Sequence, residues 1–149
     1  MSVPEFDFRP ANAADLPAVA DLLKSCELPA QDLTAEILAG FELAFAADGR
    51  MVGQIGLEVF GDAGLLRSLA VAPEWRGHGL GEQLVERREA EARRAGLSAI
   101  YLLTGSAADY FRRRAYDDVS RETVPAPIAA HPQFRGLCPS RAACLRKSL

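Results

Sequence analysis

The sequence predicts a mixed α/β fold, on three observations. Two strand-like runs flank Asp48-Gly49, a strong hairpin dipeptide. Leu65 to Thr104 reads as strand, long helix and buried strand in succession. Near the start, Leu16, Val19, Leu22, Leu23 and Cys26 recur at helical spacing, a stripe that has to be buried against a sheet. With 149 residues and neither internal repeat nor low-complexity linker, the whole length, 1–149, is expected to form one domain.

Taken in order, Asp15 followed by Leu16 and Pro17 reads as the start of a helix running to Cys26, with Asp15 as its cap. A short helix is expected over Asp32 to Leu38, then strands from Phe41 to Ala47 and from Met51 to Phe60. In the second of these, Met51, Ile55, Leu57 and Val59 share one face, and Gln54 and Glu58 the other. Gly61-Asp62-Ala63-Gly64 turns the chain into a strand from Leu65 to Val71.

The long helix is placed from Gly79 to Ala95 and stopped by Gly96. Leu80, Leu84, Val85, Ala92 and Ala95 form its buried side, with Glu82, Arg87, Glu89 and Arg93 toward water. Ala99 to Thr104 suits a buried parallel strand, Ala107 to Arg114 a short helix and Tyr116 to Arg121 a further strand. Pro125, Pro127 and Pro132 break the next region into a loop with a single helical turn, before a last strand at Ala143 to Lys147.

A net charge of -3 provides no broad cationic field, which argues against nucleic acid or an anionic membrane as the partner. No apolar run approaches the ~20 residues that span a bilayer, and Met1 to Pro10 shows no secretory pattern, so a cytoplasmic location is expected. Cys26, Cys138 and Cys144 are odd in number and sparse, which points to reduced thiols.

The chemistry is expected at Arg76-Gly77-His78-Gly79-Leu80-Gly81, a glycine-rich turn opening directly into a helix. Such a turn exposes backbone amides at the positive end of the helix dipole and makes an anion site. A phosphate loop of the Walker type needs Lys-Ser/Thr after its last glycine, whereas Glu82 and Gln83 follow here. A dinucleotide fingerprint needs an acid about twenty residues on, and that stretch reads Tyr101-Leu102-Leu103-Thr104. A turn used only for chain reversal would need neither the arginine in front nor the helix behind.

The run Leu69-Ala70-Val71-Ala72-Pro73-Glu74-Trp75 and the turn after it resemble the acetyl-CoA signature of the GNAT N-acetyltransferases, a strand followed by Arg/Gln-x-x-Gly-x-Gly/Ala. The resemblance continues through the long helix, the buried strand and Tyr110-Phe111…Tyr116, covering nearly the whole chain. It implies a mostly antiparallel sheet of six or seven strands with a parallel strand-helix-strand cofactor unit and helices on both faces. It implies that amides from Arg76 to Gly81, His78 and Leu80 included, bind the pyrophosphate of acetyl-CoA, that the Leu69, Ala70 and Val71 backbone pairs with the pantetheine arm, and that Thr104 lies near the cofactor.

Direct transfer follows from this: a neutral amine attacks the thioester, and a backbone amide near Val71 steadies the oxyanion. An α-amine of pKa about 7.7–8.0 keeps a useful neutral fraction at neutral pH, so a base need only assist. Two positions depart from familiar members of the family. Leu65 stands where some carry a glutamate base, and Phe111 where many carry a tyrosine acid. Glu58 is the available carboxylate, and Tyr110, one residue before Phe111, either serves as the acid if its helix is rotated or packs its ring on the core.

If Gly61 to Gly64 is a tight loop, Phe60 opposes Leu65, Val59 opposes Leu66 and Glu58 opposes Arg67. Glu58, Arg67 and Ser68 are thus the expected substrate contacts, with the Arg67 fork suited to a carboxylate or arsonate-like end; a plain cross-strand ion pair is the other reading of Glu58 and Arg67. Arg112, Arg113 and Arg114 read as a solvated face or as contacts to a CoA phosphate. No metal site is expected: His78 sits in the exposed turn, and its spacing to His131 has no ligand pattern.

More narrowly, Leu65-Leu66-Arg67-Ser68-Leu69-Ala70-Val71, with the tail Phe134-Arg135-Gly136-Leu137-Cys138-Pro139 and Cys144, resembles the GNAT subgroup associated with bacterial arsenic-resistance operons. That implies a small amine substrate such as an amino-acid-like arsenical. Two alternatives stay open: acetylation of protein or peptide N-termini, and a non-catalytic module binding CoA or, through its thiols, arsenic. The sequence leaves a homodimer open as well.

Overall fold

The computed structural model describes residues 5–138 and 141–149. Pro139, the last residue of the tail quoted above, lies outside them. The strands are β1 (Asp7–Pro10), β2 (Phe41–Phe45), β3 (Met51–Phe60), β4 (Ala63–Val71), β5 (Ala99–Thr104), β6 (Asp117–Asp118) and β7 (Ala143–Ser148). The helices are α1 (Leu16–Ser25), α2 (Ala35–Leu38), α3 (Leu80–Arg94), α4 (Ala108–Arg112) and α5 (Ala126–Ala129). One seven-stranded sheet runs in the order β1-β2-β3-β4-β5-β7-β6. The pairs β1–β2, β2–β3, β5–β7 and β6–β7 are antiparallel and β4–β5 is parallel, as the sequence predicts for the strand-helix-strand unit. Among the described residues no helix is long and apolar enough to cross a membrane.

The chain divides into two compact units, each discontinuous in sequence. The first holds the described residues up to Leu57 together with Ser68–Ala90. Its β2 alternates in the way a strand covered on both faces must. Phe41 and Leu43 enter a cluster with Val19 and Leu23 of α1 and Leu38 of α2. Glu42 points the other way, where Arg87 of α3 grips it bidentately at 2.7 and 2.9 Å. Gly56 is obligatory beside this cluster, because a Cβ there would strike the Phe41 ring.

The start of α1 corrects the sequence reading. Asp15 makes no side-chain cap to α1; Asn12 caps a preceding helical turn, and Asp15 reaches back to the Asn12 N–H at 2.8 Å to close a capping box. In α3, Glu89 is 3% exposed rather than in water. Its position explains this, since residues 85, 89 and 92 fall on one helical stripe with the buried Val85 and Ala92. Ala95 is exposed because the helix has ended by then.

The second unit holds Glu58–Arg67 and the described residues of Glu91–Leu149. Ala63, Leu65, Ala99, Tyr101 and Cys144 line one apolar face of β4, β5 and β7, covered by Val124 and Ile128. Ile128 belongs to α5, and the proline region holds a second helical segment at Gln133–Leu137 where the sequence reading expected a single turn. The strand expected over Tyr116 to Arg121 shrinks to Asp117–Asp118. Val119 adds one bond to the Cys144 carbonyl, and Ser120 then caps a helical turn, which ends the ladder. Val59, expected on the apolar face of β3, is 56% exposed near the end of its strand.

Candidate active site

The glycine turn and the last part of the strand before it, Ser68 to Val71, belong to the first unit. After Arg76, which is extended, Gly77 and Gly79 take φ +83° and +79°, and the Gln83 N–H to Gly79 carbonyl bond at 3.1 Å opens α3. Only glycine adopts such φ values without strain. A Cβ at either glycine would meet nothing within 4 Å, so the backbone is bare on that side. The first amides of a helix have no intrahelical acceptor, so this start can receive an anion. Arg76 folds back onto the strand, its Nε donating to the Val71 carbonyl at 3.1 Å and its Nη2 reaching Cys26 Sγ at 3.4 Å. His78 is exposed, beside the Trp75 ring at 5.8 Å between centroids. Leu80 is buried, while Gly81, Leu69 and Val71 are half-buried and Ala70 is buried.

Ser68, at the head of that stretch, has φ +59°, a left-handed conformation rare for a residue with a side chain. Gln54 of β3 is fully buried and donates from Nε2 to the Ser68 carbonyl at 3.5 Å. Its Oε1 meets no donor among the described residues. The sequence held no sign of either feature.

A second constellation belongs to the other unit. Gly61 and Asp62 alone separate β3 from β4, so the four-residue loop expected over Gly61 to Gly64 is a two-residue one with Gly61 at φ +65°. Glu58 and Arg67 nevertheless meet, Nη1 donating to Oε2 at 2.8 Å. The Arg67 side chain is 0% exposed and the Glu58 side chain 14%, so Arg67 is not the open fork the sequence reading pictured. His131, which that reading set aside, brings Nε2 to the same Oε2 at 2.8 Å. Its Nδ1 accepts the Gln133 N–H at 3.1 Å, which leaves the ring proton on Nε2, directed at the carboxylate. Burial raises the Glu58 pKa, but the hydrogen bonds from His131 and Arg67 outweigh it and hold the carboxyl below its usual range.

Thr104 ends β5 with Oγ1 accepting the Ala107 N–H at 2.9 Å, fastening the entry to α4. Tyr110 is half-buried, its ring edge-on to Phe111 at 5.1 Å and 6.0 Å from the Arg114 guanidinium carbon. Phe111 packs in turn on Tyr116, so the position that many GNAT enzymes fill with tyrosine is a core aromatic here. Arg112 is committed to Asp109 and Asp118. Burial pushes the Cys144 thiol up, away from the thiolate that binds soft metals.

Over 69 residues the chain is 45% identical to the amino-acid acetyltransferase of Pseudomonas fluorescens strain Pf0-1, a match covering 46% of this chain and 16% of that enzyme. The N-acetylglutamate synthase of Neisseria gonorrhoeae, solved with coenzyme A and N-acetyl-glutamate, shares the fold with a TM-score of 0.82 at 23% identity, over 97% of this chain and 35% of that one. A GNAT-family acetyltransferase from Staphylococcus aureus Mu50 does so with a TM-score of 0.76 at 16% identity, over 97% and 99% of the two chains. The sequence pattern of the acetyltransferase (GNAT) family matches residues 16–117, the stretch that contains the glycine turn, the strand before it and α3 after it, and the chain belongs to that family.

Proposed function

We propose that residues 1–149 act as one acetyl-CoA-dependent N-acetyltransferase domain that transfers acetyl directly to the amine of a small, amino-acid-like substrate. The observation that carries this reading is the turn from Arg76 to Gly81, with two left-handed glycines opening into α3. Its bare amides suit the pyrophosphate of acetyl-CoA. The Leu69 to Val71 backbone is assigned to the pantetheine arm and the Val71 amide to the oxyanion, with Thr104 beside the cofactor. The relatives support an amino-acid acceptor: one is named an amino-acid acetyltransferase and another was solved with coenzyme A and N-acetyl-glutamate.

In the transfer, the lone pair of the neutral amine forms a bond to the thioester carbonyl carbon. The tetrahedral intermediate places its charge on the oxygen, and collapse breaks the carbon–sulfur bond. The nitrogen releases one proton to solvent, and the departing thiolate takes one from Tyr110, the assigned donor, which regains it from solvent. Substrate contact is assigned to Glu58 and Ser68. Arg67 is reassigned from gripping the substrate carboxylate to holding Glu58, because its guanidinium is buried on that carboxylate.

Amino-acid-like arsenicals belong among the acceptors to be tried, on the resemblance of Leu65 to Val71 to the arsenic-resistance subgroup. The deciding experiment is release of free thiol from acetyl-CoA across amino acids, amino-acid-like arsenicals and short peptides. Turnover with one class of small amine supports the proposal. Turnover with peptides alone favours N-terminal acetylation, and CoA binding without turnover leaves a binding module.

A further inference from the structure

The Glu58 carboxylate is held in an unsymmetrical way. Arg67 Nη1 and His131 Nε2 both reach Oε2 at 2.8 Å, and no described residue donates to Oε1. The two donors lie 3.4 Å from each other. With the ring proton on Nε2 that contact is not a hydrogen bond, but two donors converging on one acceptor. The imidazole itself is fixed on two sides, by the Gln133 N–H at Nδ1 and by the Phe60 ring standing edge-on at 6.1 Å. His131 and Arg67 are buried while Glu58 retains some exposure, so the carboxylate presents a single edge outward from a rigid seat.

Charge decides what that edge takes. The guanidinium already faces the carboxylate, and the imidazole brings a second N–H donor to the same oxygen. A substrate carboxylate would find Arg67 already committed, whereas an N–H donor would find Oε1. The lone pair is then left for attack.

We infer that His131 is a positioning residue for the acceptor amine: by holding Glu58 Oε2 it turns Oε1 to receive the amine's N–H. This rests on the acetyltransferase reading and names the group that aims its acceptor. It differs from a packing role, which would affect both substrates alike.

The test is steady-state kinetics on the full chain with the best amine from the panel, comparing wild type with His131→Phe, which keeps a ring and lacks the donor, and His131→Gln, which restores an N–H. The amine KM should rise about tenfold or more in His131→Phe, the loss of one charge-assisted hydrogen bond. The acetyl-CoA KM and CoA affinity by calorimetry should stay within about twofold, since a local hydrogen bond acts locally. His131→Gln should recover most of the amine KM. An unchanged amine KM, an equal rise in both KM values, or a His131→Gln variant no better than His131→Phe overturns the role. If His131→Phe does not fold, Glu58→Gln must show the same split between the two KM values, and its absence overturns the role equally. Wild-type protein that binds CoA yet releases no thiol with any amine refutes the acetyltransferase reading itself, a result visible before any variant is made.

Discussion

Arg76 Nε donates to the Val71 carbonyl at 3.1 Å, so the guanidinium that leads the glycine turn is tied to the strand the turn has just left. Replacing Arg76 by Met keeps much of the length and removes the tie. Acetyl-CoA KM should rise about tenfold, the equivalent of one hydrogen bond to a charged group, with the amine KM unchanged. Calorimetry with CoA alone would check it; equal affinity for both proteins would mean that the tie does not shape the turn.

Two glycines of the turn separate strain from close approach. Gly79 is left-handed with nothing within 4 Å of an added Cβ, so Gly79→Ala should lose about 1–2 kcal/mol of stability through backbone strain alone. Gly81 has no positive φ, and its Cβ would meet only Val71 Cγ2 at 3.9 Å. Gly81→Ala should therefore stabilise the ligand-free protein by about 0.5–1 kcal/mol, the helix preference for alanine. Both should weaken CoA binding where the pyrophosphate lies against the backbone. Denaturant unfolding and CoA titration on the pair read the two effects apart.

Gln54 holds a stability reserve. Its Oε1 is buried with no donor among the described residues, while Nε2 contributes one long bond to the Ser68 carbonyl. An orphaned buried acceptor costs about 1–3 kcal/mol. Gln54→Leu, similar in volume, should raise the thermal midpoint of the ligand-free chain. A lower midpoint would show that the bond at Ser68 is worth more than the orphaned oxygen costs.

The acid limb of stability should carry the signature of Asp15. The bidentate hydrogen bonds from Arg9, followed by the Asn12 N–H, hold its carboxyl down at about 2 against an ordinary 3.8. A carboxyl whose folded pKa is depressed stabilises the protein fully above its unfolded value and loses that stabilisation as pH falls through the folded one. The stability difference between wild type and Asp15→Asn should hold steady at neutral pH, shrink below pH 3.8 and approach its low-pH limit near pH 2. Urea unfolding at stepped pH would show it, and a difference independent of pH would contradict the pairing.

The sequence by itself determined whatever depends on neighbours along the chain. The hairpin at Asp48-Gly49, the buried strand at Ala99 to Thr104, the long helix and the glycine turn are local patterns of turn chemistry and hydrophobic period, and each stands close to where those patterns place it. The meeting of Glu58 and Arg67 was legible too, although the connection is two residues and not the four on which the expected register rested. Only the tertiary structure decided what depends on residues far apart. His131 reaches Glu58 across 73 positions, and no spacing rule spans that distance. Glu89 is buried despite its charge, Asn12 takes the capping role from Asp15, and the left-handed Ser68 leaves no trace in composition. The physical reason is common to all: local propensities amount to fractions of a kcal/mol per residue, and burial and hydrogen-bond satisfaction, which outweigh them, are set only once distant segments have packed.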